Sequence, residues 1–160
     1  MDAYLDIETT GLSPYDDEIT VIGIGLAEGR NLRIVQLFDE ELTRGNLAAA
    51  LAGASRLYTY NGSRFDLPFI HEAVGIDLNE RVQHYDLMFD CWNRSLYGGF
   101  KVVEEKLGIP RRLKGLSGKD AVYLWYDYKN GDQKALDVLL EYNREDVTNL
   151  RHLRRKLRLP

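Results

Sequence analysis

The order of strand-like and helix-like segments is the feature that most limits the folds open to this chain. Segments rich in β-branched or alternating apolar residues predict strands, and three of them precede any helix: Ala3–Ile7, Ile19–Ala27 and Leu32–Phe38. The turn residues Glu28-Gly29-Arg30-Asn31 predict a hairpin between the second and third strands. The first half of the sheet is therefore expected to be antiparallel.

After the hairpin, helices and strands are predicted to alternate. The expected order is a helix over 42–52, a strand over 56–60, a helix over 66–74 that ends at Gly75, and a short strand over 81–85. Everything after Asp86 is predicted helical, apart from loops at Gly98-Gly99 and Ile109–Gly118. Strands separated by helices favour parallel pairing, so the expected fold class is α/β. We predict a mixed sheet of about five strands, the first three antiparallel and the last two parallel, flanked by helices.

Composition limits the class of protein. The 160 residues are 44% hydrophobic and show no internal repeat or linker, so we expect one domain over residues 1–160. Cys91 is the only cysteine, which excludes an internal disulfide and a cysteine-based zinc site. No apolar run reaches the roughly 18 residues of a membrane helix, and the chain begins Met-Asp without a signal-like segment. The expectation is a cytoplasmic protein with no membrane partner.

Charge is distributed unevenly along the chain. Residues 1–90 contain 6 basic and 16 acidic residues, whereas residues 91–160 contain 15 basic and 9 acidic residues. Such a protein could hold cations with one part and contact a polyanion with the other. The alternative is ordinary surface composition, with a basic helix end that complements the helix dipole.

Two acidic residues alternate with apolar residues on the first predicted strand, in Leu5-Asp6-Ile7-Glu8. Because side chains alternate across a strand, Asp6 and Glu8 are expected on one face, and Leu5 and Ile7 on the other. At about 4 Å, two like charges repel by roughly 4 kcal/mol at an effective dielectric of about 20. A divalent cation would remove that repulsion. The alternative places both acids at a frayed, solvated strand end.

Two further segments supply acidic residues. Asp66 follows the fourth strand, at the sheet edge where ligand sites of open α/β sheets gather. The alternative is that Asp66 only caps the helix that begins there. Tyr142 and Asp146 are four residues apart on a predicted helix and therefore share a face. The alternative makes Tyr142 an aromatic at the rim of the core and Asp146 a surface charge.

Together these segments resemble the DEDD 3′–5′ exonucleases of the ribonuclease H-like (DnaQ-like) superfamily. The first exonuclease motif is similar to Asp6-Ile7-Glu8-Thr9-Thr10-Gly11-Leu12, the second to Tyr60-Asn61-Gly62 through Phe65-Asp66, and the third to the segment from Tyr142 to Asp146. The Tyr-x-x-x-Asp form of the third motif is typical of the DEDDy subgroup. The segment 98–109 is similar to one typical of the YprB-type branch, and the resemblance spans nearly the whole chain.

The resemblance implies phosphodiester hydrolysis with two divalent ions, Mg²⁺ or Mn²⁺. Asp6 would bridge both ions, Glu8 and Asp146 would hold the ion beside the attacking water, and Asp66 would help hold the second ion directly or through water. Tyr142 would hydrogen-bond the attacking water. Because a tyrosine has an ordinary pKa of about 10, it should orient that water rather than deprotonate it. We therefore expect a metal-dependent 3′–5′ exonuclease with these five catalytic residues.

The expected substrate is single-stranded nucleic acid, DNA or RNA, or a frayed 3′ end. Contacts to it are expected from residues in the first two motifs: Thr9, Gly11, Leu12, Asn61, Arg64 and Phe65. Phe65 could instead be a core phenylalanine. The basic stretch Arg111, Arg112, Lys114 and Lys119 either follows a phosphate backbone or is a solvated loop. Residues 151–160 contain five basic residues and no acid. These basic residues either complement the dipole at the end of the helix or contact nucleic acid or protein.

Two other functions remain open at this point. One is a catalytically weak nucleic-acid-binding module that serves a helicase or polymerase partner, although a pure binder has no need for four converging carboxylates. The other is a metal-dependent phosphomonoesterase, which would cleave a small nitrophenyl phosphate and leave oligonucleotides intact. Metal-dependent nuclease activity would separate both from the exonuclease.

Overall fold

The structure, a computed structural model, describes all 160 residues and is built on a five-stranded sheet. The strands are β1 (Asp2–Thr9), β2 (Ile19–Glu28), β3 (Asn31–Phe38), β4 (Arg56–Thr59) and β5 (Gln83–Asp86), in the spatial order β3-β2-β1-β4-β5. β1 pairs antiparallel with β2, and β2 with β3, whereas β1 and β4, and β4 and β5, pair in parallel. The predicted mixed sheet is confirmed.

Six helices flank the sheet: α1 (Arg44–Ala50), α2 (Asp66–Val74), α3 (Leu87–Trp92), α4 (Phe100–Leu107), α5 (Gly118–Lys129) and α6 (Gln133–Lys156). Short 3₁₀ turns lie at Asp39–Glu41 and Leu78–Glu80. The second 3₁₀ turn lies shortly before β5. Strand β5 therefore begins two residues later than predicted. None of the helices is both long and apolar enough to cross a lipid bilayer.

Local sequence explains where the long helices begin. Ser117 and Asp120 form a reciprocal capping box at the start of α5, and the Asp132 side chain accepts hydrogen bonds from the first turn of α6. Gly75 ends α2 in the left-handed conformation, as expected for a glycine after a helix. These caps fix the residues at which α5 and α6 begin and α2 ends.

The two faces of the sheet are packed differently. Leu5 and Ile7 pack on one face with side chains of α1 and α2, including Leu47 and Phe69. On the other face, Tyr4 of β1 packs in a second cluster that includes residues of α3, α4 and α6. The sheet therefore lies between two helical layers, and α6 contacts β1 and β2 directly.

Two glycines of β2 allow α6 to approach the sheet closely. A Cβ at Gly23 would lie 2.1 Å from Asn143 Oδ1, and one at Gly25 would lie 2.7 Å from Val147 Cγ1. Near its C-terminal end, α6 is held to β1 by Arg154, whose Nη1 donates to Asp2 Oδ2 at 2.5 Å. Helix α6 is thus fixed over β1, so its middle turns face the sheet.

Candidate active site

The alternation predicted for β1 is present in the structure. Leu5 and Ile7 are 1% and 5% exposed and lie in the core between the sheet and α1 and α2. Glu8 is also buried, so the alternative of a frayed, solvated strand end is wrong. Asp6 lies opposite Gly23 on β2, and both acids lie on the face of the sheet that α6 covers.

Helix α6 brings a third carboxylate to the two on β1. One oxygen from each of Asp6, Glu8 and Asp146 lies within 4.8 Å of the others. Asp146 is buried, so it is not a surface charge. Asp146, which follows Glu8 by 138 residues in sequence, therefore shares one small volume with the two carboxylates of β1.

Asp66 joins the site through the backbone of β1. Its Oδ2 accepts a hydrogen bond of 3.0 Å from the Ile7 N–H, and its side chain is buried. The residue that precedes α2 is Phe65, which makes no side-chain capping bond. Asp66 is therefore not a helix cap; it is tied to the strand segment between Asp6 and Glu8.

The four carboxyl groups share an unusual electrostatic environment. Burial raises the pKa of Asp6 well above its ordinary value, and the charges of Asp146, Glu8 and Asp66 raise it further. Burial and the charge of Asp146 also raise the pKa of Glu8 well above its usual range. Burial raises the pKa of Asp66 to about 7, although the Ile7 N–H opposes the shift. The neighbouring protein groups do not neutralise the combined negative charge that the four carboxylates would carry.

Two cations approach the site from neighbouring segments. The Arg111 Nη2 lies 2.5 Å from Asp146 Oδ1 and 2.6 Å from Glu104 Oε1, and the Arg111 side chain is 8% exposed. Arg111 is thus not part of a solvated loop, whereas Arg112, Lys114 and Lys119 of the same basic stretch are exposed. Lys101 Nζ lies 3.9 Å from the same Asp146 oxygen.

Tyr142 lies one turn before Asp146 on α6 and faces the same cavity. The ring is buried, with Lys101 Nζ 4.7 Å from its centroid. Burial raises the pKa of the Tyr142 hydroxyl, and the negative charges of Asp146, Glu8 and Asp6 raise it further. The hydroxyl therefore stays protonated at neutral pH and can donate a hydrogen bond.

An amide network that the sequence did not reveal positions Asp6. Asn143 Nδ2 donates to the Asp6 carbonyl oxygen at 3.1 Å and to Asp6 Oδ2 at 3.3 Å. Gln36 Nε2 in turn donates to Asn143 Oδ1 at 3.0 Å and to the Leu140 carbonyl at 2.7 Å. A signal was present in the glycine at position 23, since it leaves the space that the Asn143 side chain fills.

Asp6, Glu8 and Asp146 line a cavity of about 480 Å³, and Asp66 does not. Of the predicted substrate contacts, the cavity is lined by Thr9, Gly11, Leu12 and Phe65. Asn61 and Arg64 do not line it. Arg64 is exposed, and its guanidinium stacks over the Phe89 and Trp92 rings, at 5.4 and 5.2 Å from their centroids.

Hydrogen bonds to Asp86 hold the loop that contains Asn61 and Arg64 outside the cavity. The Asp86 carboxylate accepts hydrogen bonds from the Asn61 N–H at 2.8 Å and from the Ser63 hydroxyl at 2.6 Å. It also caps α3 by accepting a hydrogen bond from the Met88 N–H. Asn61 has a left-handed backbone with φ of 59°, which asparagine tolerates better than most residues.

The residues present fit a divalent cation. All the side-chain ligands are carboxylate oxygens, which Mg²⁺ and Mn²⁺ prefer. Glu8 Oε1 is buried without a hydrogen-bond partner, so one oxygen of the group lacks any protein donor. A cation among Asp6, Glu8 and Asp146 would satisfy that oxygen and offset the repulsion that raises their pKa values.

Solved structures with the same fold include proteins that act on nucleic acid. The family B DNA polymerase from Pyrobaculum calidifontis superposes with a TM-score of 0.74 at 16% identity, covering 98% of this chain and 24% of the polymerase. A structure described as the apo form of a nuclease superposes with a TM-score of 0.67 at 21% identity, covering 98% of this chain and 70% of the nuclease. For Brucella melitensis NrnC the TM-score is 0.61 at 21% identity, with 98% of this chain and 71% of NrnC covered.

At these identities the superpositions show a shared fold. The chain spans about a quarter of the polymerase and about 70% of the two nuclease structures. No curated protein sequence matches the chain. The sequence model described as RNase_H superfamily matches residues 3–158, which is nearly the entire chain. The chain therefore belongs to the RNase_H superfamily.

Proposed function

We propose that this protein is a metal-dependent 3′–5′ exonuclease of the DEDDy type, closest to the YprB-type branch, that hydrolyses single-stranded DNA or RNA. The observation that carries the proposal is the convergence of Asp6, Glu8 and Asp146 within 4.8 Å, beside the buried hydroxyl-bearing ring of Tyr142. The fold is shared with Brucella melitensis NrnC, which is also known bound to pGG. An oligonucleotide substrate for this chain fits that similarity.

Each side chain has a defined part in the proposed reaction. Asp6, Glu8 and Asp146 would hold the ions, and Asp66 would support them directly or through water. When bound, two such ions supply a nucleophile at neutral pH and stabilise charge on the attacking and leaving oxygens. The Tyr142 hydroxyl would orient the attacking water by a hydrogen bond, since a tyrosine with an ordinary pKa of about 10 is protonated at neutral pH.

The supporting residues keep these groups in place. Asn143 holds the Asp6 carboxylate through its amide, and Lys101 and Arg111 both lie against Asp146 Oδ1. Because Asp146 Oδ1 accepts a hydrogen bond from Arg111 and also lies 3.9 Å from the Lys101 ammonium, its orientation is fixed before substrate arrives. Preorganised groups of this kind need little reorganisation during reaction.

The deciding assay uses matched single-stranded DNA and RNA, each labelled at either end, with Mg²⁺, Mn²⁺ or a chelator. Shortening from the 3′ end that needs a divalent ion is the expected result. Asp6→Asn should lower the rate at least about 1,000-fold, since ion-mediated stabilisation supplies several kcal/mol. Asp137→Asn is the matched control, because Asp137 is an exposed acid on α6. Hydrolysis by Asp6→Asn at the wild-type rate would refute the proposal.

Tyr142→Phe tests the mechanism rather than the activity. A lost hydrogen bond to a charged group contributes about 1.5–3 kcal/mol, so kcat should fall roughly 10- to 100-fold. Metal affinity, measured by calorimetry, should not change, because the phenyl ring still fills the same space. Tyr126→Phe, at an exposed position on α5, serves as control. Unchanged kcat for Tyr142→Phe would remove this residue from the mechanism.

The same assay separates the alternative functions. A binding module that serves a helicase or polymerase partner would retain the oligonucleotides without shortening them. A phosphomonoesterase would release nitrophenol from nitrophenyl phosphate and leave the oligonucleotides intact. The superposed portion is about a quarter of the polymerase that shares the fold, and the rest of that polymerase has no counterpart in this chain. In the proposal, a polymerase or helicase partner would supply such further parts to the nuclease.

A further inference from the structure

A face of α6 outside the catalytic cavity carries an unusual arrangement of basic side chains. Arg144, Thr148, His152 and Lys156 recur every four residues, so they form one stripe along the helix. Arg155 lies beside the end of the stripe, and Arg112 of the loop between α4 and α5 lies beside its beginning. We call Arg112, Arg144, His152, Arg155 and Lys156 the α6 basic face.

The charges of the α6 basic face are not used inside the protein. All five side chains are exposed, and none forms an ion pair or a side-chain hydrogen bond. By contrast, Arg154 on the same helix is paired with Asp2. Burial and the charges of Arg155 and Arg151 lower the pKa of His152, so four arginine and lysine side chains supply the positive charge at neutral pH.

Helix-dipole complementarity does not account for this arrangement. Such stabilisation acts within the last turn of a helix, whereas Arg144 lies more than three turns before the end of α6 at Lys156. Arg112 is not on the helix at all. The two acids nearby are Glu141 and Glu145, and Glu145 turns its carboxylate to the N–H groups of Arg112 and Leu113.

A chain of adjoining cavities connects this face with the catalytic cavity. Lys101 lines both the catalytic cavity and a second cavity of about 390 Å³, which Lys114 also lines. Pro110 and Arg111 line the second cavity and a third of about 370 Å³, which Arg112, Arg144 and His152 line as well. His152 is shared with a fourth cavity of about 210 Å³, beside Arg155 and Lys156. Each cavity in the series therefore has at least one basic side chain in its wall.

The geometry points to the α6 basic face as the binding surface for the body of a single-stranded nucleic acid whose 3′ end occupies the catalytic cavity. This inference rests on the proposed function for the position of the 3′ end. From Arg144 to Lys156 the helix rises about 18 Å, at 1.5 Å per residue. A single strand spaces its phosphates more widely than the 3.4 Å per strand of a duplex, so that length accommodates at most about five phosphates. Exposed, unpaired cations at both ends of this face, Arg112 and Arg144 at one end and Arg155 and Lys156 at the other, are complementary to the phosphates of a strand that runs along it.

Salt dependence of binding tests the surface without any hydrolysis. Each phosphate contact contributes about 0.7 to the slope of log K against log salt for a single strand. Removing three cations with Arg144→Gln/Arg155→Gln/Lys156→Gln should therefore lower the slope for a 15-nucleotide strand by about 2. Between 50 and 200 mM salt, the wild type should lose roughly 20-fold more affinity than the triple variant. Binding is measured by anisotropy with 5′-fluorescein oligothymidylate and oligouridylate in chelator.

A matched control removes the same charge elsewhere. Arg44→Gln/Arg81→Gln/Lys134→Gln changes three exposed cations that form no ion pair, and it should leave the slope unchanged. Equal losses in the two triple variants would overturn the inference, as would wild-type protein that binds neither strand. Polyglutamate bound with the wild-type slope for nucleic acid would also overturn it, because the face would then be a general site for acidic polymers.

Strand length separates this inference from the proposed function. With Mg²⁺, a 4-nucleotide strand should reach only the catalytic cavity, so the α6 triple variant should hydrolyse it with wild-type kcat and KM. The KM for the 15-nucleotide strand should rise about tenfold or more. A rise that is equal for both strands would overturn the inference. If the wild type hydrolyses neither strand but the anisotropy difference persists, the nuclease proposal fails and the binding surface stands.

Discussion

On one face of β1, Leu5 and Ile7 pack among aliphatic and aromatic side chains, while on the other face Asp6 and Glu8 meet Asp146 of α6. The apolar face is stabilised by removing hydrocarbon from water, which needs only shape and volume. The acidic face is destabilised by repulsion and burial, as the raised pKa values of Asp6 and Glu8 show. Strand β1 thus has an apolar face whose burial stabilises the fold and an acidic face whose burial destabilises it.

The strain is tolerated because the acidic face is surrounded by groups that limit it. Arg111 pairs with Asp146 and Glu104, and Asn149 Nδ2 donates to Glu104 Oε2 at 3.0 Å. These contacts hold the α4–α5 loop against α6, since Arg112 and Leu113 also donate to Glu145. The comparison of the two faces leads to three predictions about stability, beginning with the largest effect.

Arg111→Met should destabilise the protein most. It removes the cation and leaves Glu104, which is 2% exposed, without its ion-pair partner. Breaking a buried pair from one side costs about 3–5 kcal/mol, whereas replacing both partners by neutral groups costs far less. Denaturant unfolding in chelator measures the loss, and Glu104→Gln/Arg111→Met should recover more than half of it. Wild-type stability for the single variant would show that the acidic face needs no internal cation.

Leu5→Ala should have the next largest effect, and on stability alone. Truncating a leucine that is 1% exposed costs about 2–5 kcal/mol, from lost transfer energy and the cavity left behind. Metal affinity should stay within twofold of wild type, because the acids lie on the opposite face of β1. Leu12→Ala, at a position 85% exposed, should change stability by less than about 0.5 kcal/mol. A large loss of metal affinity in Leu5→Ala would mean that the two faces are not independent.

The features of the molecule that could be predicted from sequence are those that depend on local patterns. Alternation at Asp6 and Glu8, and the four-residue spacing of Tyr142 and Asp146, are local patterns whose geometry follows from one strand and one helix. The antiparallel and parallel halves of the sheet followed from the hairpin and from the later alternation of strands and helices. The predicted ends of α2 were correct, because Gly75 marks its C-terminus by a strong local rule.

Arg111 and Arg64 could not be placed in the same way. Whether an arginine in a loop is solvated or buried depends on the path of the whole α4–α5 connection, and no local period encodes that path. The Arg64 side chain lies over the rings of Phe89 and Trp92, and the Ser63 N–H beside it donates to Asp86, 23 residues later in the chain. The Gln36–Asn143–Asp6 network likewise joins residues more than 100 positions apart.

The smallest of the three effects concerns pH. Burial raises the pKa of Asp66 to about 7 in the folded protein, against an ordinary value of about 3.9 for an unfolded aspartate. Between these two values the folded state binds more protons than the unfolded state, so stability falls as pH rises and levels off above about pH 7. From pH 5 to pH 7 one such group contributes a loss of roughly 2–3 kcal/mol.

Asp66→Asn isolates that contribution, because the asparagine oxygen can still accept from the Ile7 N–H but carries no titrating proton. In chelator, the wild type should lose about 2–3 kcal/mol more than Asp66→Asn between pH 5 and pH 7, measured by urea unfolding. The difference is needed because His84 and His152, whose pKa values are lowered mainly by burial, stabilise with rising pH in both proteins. Parallel pH profiles would contradict a raised Asp66 pKa. Added Mg²⁺ should flatten the wild-type profile, since an ion that needs deprotonated carboxylates binds more tightly as pH rises and thereby offsets the strain of the acidic face.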